Sequence, residues 1–145
     1  MDIIDTATYP IDQPDSPAYH ALVEQCRADL ADNGLFNLPG FLHPEALRET
    51  LERVNPVIAT EAFVHHRIHN IYFKKIILGL APDHPALQLR QTAHHTICAD
   101  QIECSAITQL YDWPAFASFL ADVMQKSALF PMDDRIAGAN VMTYY

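Results

Sequence analysis

The segment Gly138-Ala139-Asn140-Val141-Met142-Thr143-Tyr144-Tyr145 constrains this chain more than any other stretch. Val, Thr and Tyr are strand formers, because branched and aromatic side chains pack well on a pleated surface. A strand alone leaves its backbone N–H and C=O groups unpaired, so the chain must supply partner strands or expose an edge. Alternation sets Asn140, Met142 and Tyr144 on one face and Val141, Thr143 and Tyr145 on the other. No turn, cap or polar tail follows. Two expectations result: the strand completes a small sheet, or it belongs to a longer protein cut at this point.

Upstream, helices announce themselves by caps and spacing. Ser16-Pro17 supplies an N-cap and a first-turn proline, and Tyr19, Leu22, Val23, Cys26 and Leu30 recur on one face. Asn33-Gly34 ends that helix, with glycine suited to the left-handed position. Pro44 starts a second helix with the stripe Leu47, Leu51, Val54 and Ile58, which Pro56 kinks or ends early. Ser105 opens a third helix through Trp113, and Pro114 a fourth with Phe116, Phe119, Leu120, Val123 and Met124 inward. Residues 35–38, 68–73, 96–102, 129–132 and 137–145 read as extended, and 86–91 as a short helix. Residues 79–85 form a loop, and Asp133-Asp134 turns the chain into its last strand. The sum is an α+β domain spanning residues 1–145, with four or five helices and two to four short strands.

Charge and cysteines exclude several classes. A net charge of −9 repels nucleic acid and anionic membrane alike, and Lys74-Lys75 is the one adjacent basic pair. Cys26, Cys98 and Cys104 form neither CxxC nor an even disulfide framework, which suits free thiols in a reducing cytoplasm. The start, Met1-Asp2-Ile3-Ile4-Asp5, is acidic and unlike a signal peptide, and the apolar run 76–81 is too short to span a bilayer. GxGxxG, P-loop and GxSxG motifs are absent.

Four side chains stand out as candidate binding residues. His69 and Asn70 sit among Ile68, Ile71, Tyr72 and Phe73, where a buried imidazole or amide needs a partner: a backbone carbonyl, or a bound substrate. Arg90 is the lone cation between Lys75 and Lys126. Its fork matches a carboxylate, either of a ligand or of an acidic residue such as Asp100. Asn140 faces a substrate or a neighbouring strand. His65 and His69, with His94 or His95 and a carboxylate, could grip a metal, but no HExxH or His-x-Asp pattern supports it, and ordinary hydrogen-bonded histidines are the plainer reading.

Residues 137–144, together with Tyr9-Pro10-Ile11, Ser16-Pro17, residues 38–42, 69–73 and 82–85, and Asp100-Gln101-Ile102, carry a resemblance over nearly the whole chain. In order and spacing they resemble the N-terminal half of the HalD/BesD-type group of iron(II)/2-oxoglutarate oxygenases and amino-acid halogenases. The resemblance implies helices packed on the first strands of a double-stranded β-helix, a jelly-roll. It implies oxidation or halogenation of a C–H bond in a small amino-acid-like substrate, with Arg90, His69, Asn70 and Asn140 as substrate contacts. The terminal strand resembles the one just before the first iron-binding histidine, so the iron motif would lie beyond Tyr145. Iron(II) and 2-oxoglutarate are thus expected in the full-length family and not on this chain alone, which by itself would be catalytically inactive. The alternative is an inactive interaction module that self-associates through strand 137–145.

Overall fold

The structure, a computed structural model, describes residues 3–134 and 136–144. Its N-terminal layer is built by α1 (Pro17–Asn33) and α4 (Pro114–Val123), which pack together far apart in sequence. Ser16 caps α1 by accepting the Tyr19 N–H, and Gly34 ends it at φ 73°. Ile4, Ile11, Tyr19, Val23, Cys26, Phe119 and Val123 form the main core. The buried Tyr19 hydroxyl donates to Asp122 at 2.5 Å, and Arg27 forks onto the Asp122 carbonyl. Burial and the Asp122 carboxylate together push the Tyr19 phenol well above its ordinary range. Burying Phe119 or Ile11 is worth about 2–3 kcal/mol each. The exposed ion pairs of Arg27 with Glu24, and of Arg48 with Glu45 and Glu52, are screened by solvent and add little. Burial holds this layer together.

Helix α2 (Pro44–Glu61) runs straight through Pro56 instead of ending there. Its buried stripe is Ala46, Thr50 and Val54, while Leu47 and Leu51 remain nearly half exposed. The small side chains of Ala46 and Thr50 let α2 approach Ser105 and Ala106 at the start of α3 (Ala106–Tyr111), which rotates the leucines outward. Arg53 ties the two helices by donating to the Glu103 carbonyl.

The third part is an open antiparallel sheet of β1 (Phe63–His69), β2 (Arg90–Cys98) and β3 (Asn140–Tyr144), in the order β1-β2-β3. Ile97 is fully buried against Val54, Val57, Ile58 and Val141, so α2 covers one face of the sheet. The domain is therefore α+β, with four α-helices and three strands among the described residues.

Several expected strand boundaries move. Residues 35–38 and 129–132 form no strand and take no part in the sheet. The strand expected over 68–73 ends at His69, because Asn70 folds the chain into a turn. The helix expected over 86–91 shrinks to a 3₁₀ turn, Pro85–Leu87, and the strand expected from 96 begins at Arg90. A second 3₁₀ turn, Ala99–Gln101, then replaces the end of that strand. The final strand spans Asn140–Tyr144, and Tyr145 lies outside the described residues.

Candidate functional site

Register fixes what each face of the sheet carries. His65 pairs with His94, Arg67 with Thr92 and His69 with Arg90, while Tyr144 pairs with His94 and Met142 with Thr96. Side chains of directly paired residues share a face. The face opposite α2 thus collects Phe63, His65, Arg67 and His69 from β1. It takes Arg90, Thr92, His94 and Thr96 from β2, and Asn140, Met142 and Tyr144 from β3. No strand carries an Asp or Glu, in a chain that has 18 of them. Among the described residues neither Arg67 nor Arg90 enters an ion pair. The face is cationic and lacks internal counter-charge.

His69 is fixed from three sides. Its Nδ1–H donates to the Asn70 carbonyl at 2.9 Å, and its ring stacks on Phe73 at 4.2 Å. A carbonyl can only accept, so Nδ1 carries the proton and Nε2 accepts from the Thr92 hydroxyl at 3.3 Å. Asn70 itself is buried and turned into its own loop. Its Oδ1 accepts the N–H groups of Tyr72 and Lys74, and its Nδ2 donates to the Lys74 carbonyl. Those bonds hold Phe73 at φ 55°, a left-handed conformation that costs a non-glycine residue energy. Asn70 thereby shapes the platform beneath His69, with its Oδ1 and one of its two amide N–H groups engaged inside its own loop.

Arg90 stands exposed beside His69, with one bond from its guanidinium to Gln88 Oε1 at 3.3 Å. The pairing with Asp100 is not made. Asn140 shares the face but lies opposite Cys98, eight residues along β2 from Arg90, or roughly 26 Å. A small molecule cannot touch both. Asn140 instead donates to the Ala137 carbonyl. The sheet therefore joins His69 and Arg90, and separates Asn140 from them.

At the middle of the face the sequence offered His65 and His94 only as a metal grip, and did not mark Arg67 or Thr96. His65 and His94 stack at 4.8 Å with planes 24° apart, and Tyr144 lies 5.2 Å from His94. Desolvation, then the Arg67 charge, then His94 and His69, push the His65 imidazole below its ordinary value. Stacked rings direct their lone pairs side by side, and His69 Nε2 is already engaged, so His65, His69 and His94 do not form a chelate. Among the described residues no group of three His, Cys, Asp or Glu side chains is placed to hold a metal ion. The donor set needed for iron is not found among the described residues. His94 Nδ1 and Thr96 Oγ1 are both buried without a hydrogen-bond partner. The signal for these residues was the period-two polar run Arg90, Thr92, His94, Thr96, which is lost when Arg90 is read into a helix over 86–91 and the strand is begun at Thr96.

A cleft of about 490 Å³ lies elsewhere, beside the turn before β3. Glu103, Asp112, Asp133 and Asp134 line it, so its electrostatics are opposite to those of the sheet face. Asp134 accepts the N–H groups of Ile136 and Ala137, which hold its carboxyl below the usual range. No described helix is long and apolar enough to cross a membrane. Comparison with protein-family models, with curated proteins and with solved structures finds no match to this chain.

Proposed function

We propose that this chain builds the substrate-binding wall of a non-haem iron(II)/2-oxoglutarate-dependent dioxygenase or halogenase, its sheet being the first strands of a jelly-roll. The substrate is a small amino-acid-like molecule, held by its carboxylate on Arg90 beside the fixed imidazole of His69. One observation carries this reading: Arg90 stands on an acid-free face, unpaired, next to a histidine whose tautomer and orientation are locked. A charge-assisted bond to a carboxylate is worth about 1.5–3 kcal/mol, or roughly ten- to a hundredfold in affinity.

The test is titration of the chain with L-2-aminobutyrate, followed by NMR at Arg90 and His69. Arg90→Gln should weaken binding at least about tenfold, and Arg90→Lys should restore only part of it, since an ammonium cannot fork. Equal binding to wild type and Arg90→Gln would remove the proposal. The chain alone should convert no 2-oxoglutarate to succinate, and steady turnover by pure protein would contradict the assignment of chemistry outside the described residues.

A second reading has its own observation. Strand β3 is paired only with β2, which leaves its outer edge open among the described residues. An open edge is a template for strand addition. On that reading the chain is an interaction module, and light scattering should show a defined dimer that a proline at Thr143 disperses. A monomer at all concentrations would leave only the ligand-binding reading.

A further inference from the structure

We propose that the centre of the sheet face holds a second site, separate from Arg90, in which His94, Thr96 and Arg67 bind a small carboxylate. Thr96 is 3% exposed, yet its hydroxyl has no partner, and neither has the buried Nδ1 of His94 two residues away. Two orphaned polar atoms on one strand face are uncommon, because an unpaired buried group carries its full desolvation cost. Both are able to donate, and residues i and i+2 of a strand stand roughly 6–7 Å apart. One carboxylate spans that gap, taking one hydrogen bond on each oxygen.

The charge comes from Arg67. It is exposed, forms no ion pair among the described residues, and sits next to His65, whose ring stacks on His94. A cationic ligand would be repelled there, and a neutral one would leave the guanidinium without a counter-ion. Met142 and Tyr144 lie opposite Thr96 and His94 and form the cover. The Tyr144 hydroxyl donates to the Met142 sulfur at 3.4 Å, a weak acceptor, and Tyr144 is largely and Met142 nearly half exposed. Such a cover moves aside at little cost. The site lies four to six residues along β2 from Arg90, or roughly 13–20 Å.

Amino acids and 2-oxo acids share this carboxylate chemistry, so three probes of equal length separate the sources: butyrate, L-2-aminobutyrate and 2-oxobutyrate. Each is titrated into the whole chain while the Thr96 methyl and His94 ring resonances are followed. Butyrate should shift both, and whichever of the other two binds tighter names the source. Thr96→Val and Arg67→Gln should each weaken butyrate about tenfold or more. Thr96→Ser, which keeps the hydroxyl, and Arg90→Gln should stay within about twofold of wild type. The inference fails if no probe shifts these resonances, the result expected if the two atoms hold only a trapped water. It also fails if Arg90→Gln abolishes the shifts, since that outcome returns the carboxylate to Arg90. Conversely, loss of the Arg90 effect with the Thr96 and Arg67 effects intact defeats the substrate reading and leaves this site standing.

Discussion

Replacing Asn70 separates a residue that shapes a loop from one that touches a ligand. In Asn70→Ala three hydrogen bonds disappear: two N–H groups lose Oδ1, and the Lys74 carbonyl loses Nδ2. At about 1 kcal/mol net per bond the loss is about 3 kcal/mol. Some is recovered, because a freed loop lets Phe73 leave φ 55° and releases about 1 kcal/mol of backbone strain. The expected destabilisation is therefore about 2 kcal/mol. Asn70→Asp keeps the acceptor but sets a second carboxylate oxygen against the Lys74 carbonyl and buries a charge, so it should cost at least as much as Asn70→Ala. Urea unfolding followed by fluorescence measures both, and the shift should appear in the midpoint with an unchanged slope. Native-state hydrogen exchange should speed up at Tyr72 and Lys74 before anywhere else. Without its platform, His69 should also lose the ring-current shift that Phe73 imposes at 4.2 Å. The reasoning is refuted if Asn70→Ala unfolds at the wild-type midpoint yet no longer binds L-2-aminobutyrate. Asn70 would then contact the ligand directly.

Other expectations follow from single residues. Ile97→Ala removes the fully buried side chain that joins α2 to the sheet and should cost about 3–4 kcal/mol in chemical denaturation, with α2 amides exchanging faster. Thr96→Val removes an orphaned buried hydroxyl without changing shape, so the ligand-free protein should gain about 1 kcal/mol, or about 3 °C in Tm. A fall in Tm would mean that the hydroxyl is partnered in solution. His65 protonates less readily folded than unfolded, so the unfolded chain binds more protons as pH drops below its ordinary value of about 6.5. The stability associated with His65 is present above that pH and is lost as pH falls through the lowered folded value. His65→Gln should flatten the slope of Tm against pH in this window, and an unchanged slope would assign it to other groups.

Legibility followed the range of the forces involved. The caps of α1 and the turns around it are local, and Ser16, Pro17 and Gly34 act as read. The inner face of α2 depends on what packs against it. Leu47 and Leu51 are more apolar than Ala46 and Thr50, but the smaller pair wins because α3 comes close there. The sheet was hardest, since β1 and β2 have no clean apolar alternation. One face is polar from His65 to His69 and from Arg90 to Thr96, and at the other His66, Gln91 and His95 interrupt the apolar residues. Arg90 was visible as an isolated cation. Arg67 and the Thr96–His94 pair were not, because their meaning lies in register, and register is a pairing of segments more than twenty residues apart.

That register also shows where a counter-charge would have gone. Arg67 faces Thr92 directly, and a glutamate at that position would form a cross-strand pair worth about 0.2–1 kcal/mol. The chain has acids to spare, and it spends ion pairs freely on its helices, at Glu24, Glu45 and Glu52. Leaving two guanidinium groups and the neighbouring histidines without an acid raises their mutual repulsion, so the arrangement is costly unless an anion arrives from outside. Thr92→Glu turns this into a measurement. The variant gives up only the long 3.3 Å bond to His69, and should be equally or slightly more stable than wild type. Its internal carboxylate should compete with butyrate for Arg67 and lower the affinity about tenfold or more. Thr92→Gln, of the same length without charge, should bind nearly as wild type. Unchanged butyrate binding to a stably folded Thr92→Glu protein would show that the unpaired cations are a neutral accident of composition, and the anion-binding account of this face would fall with them.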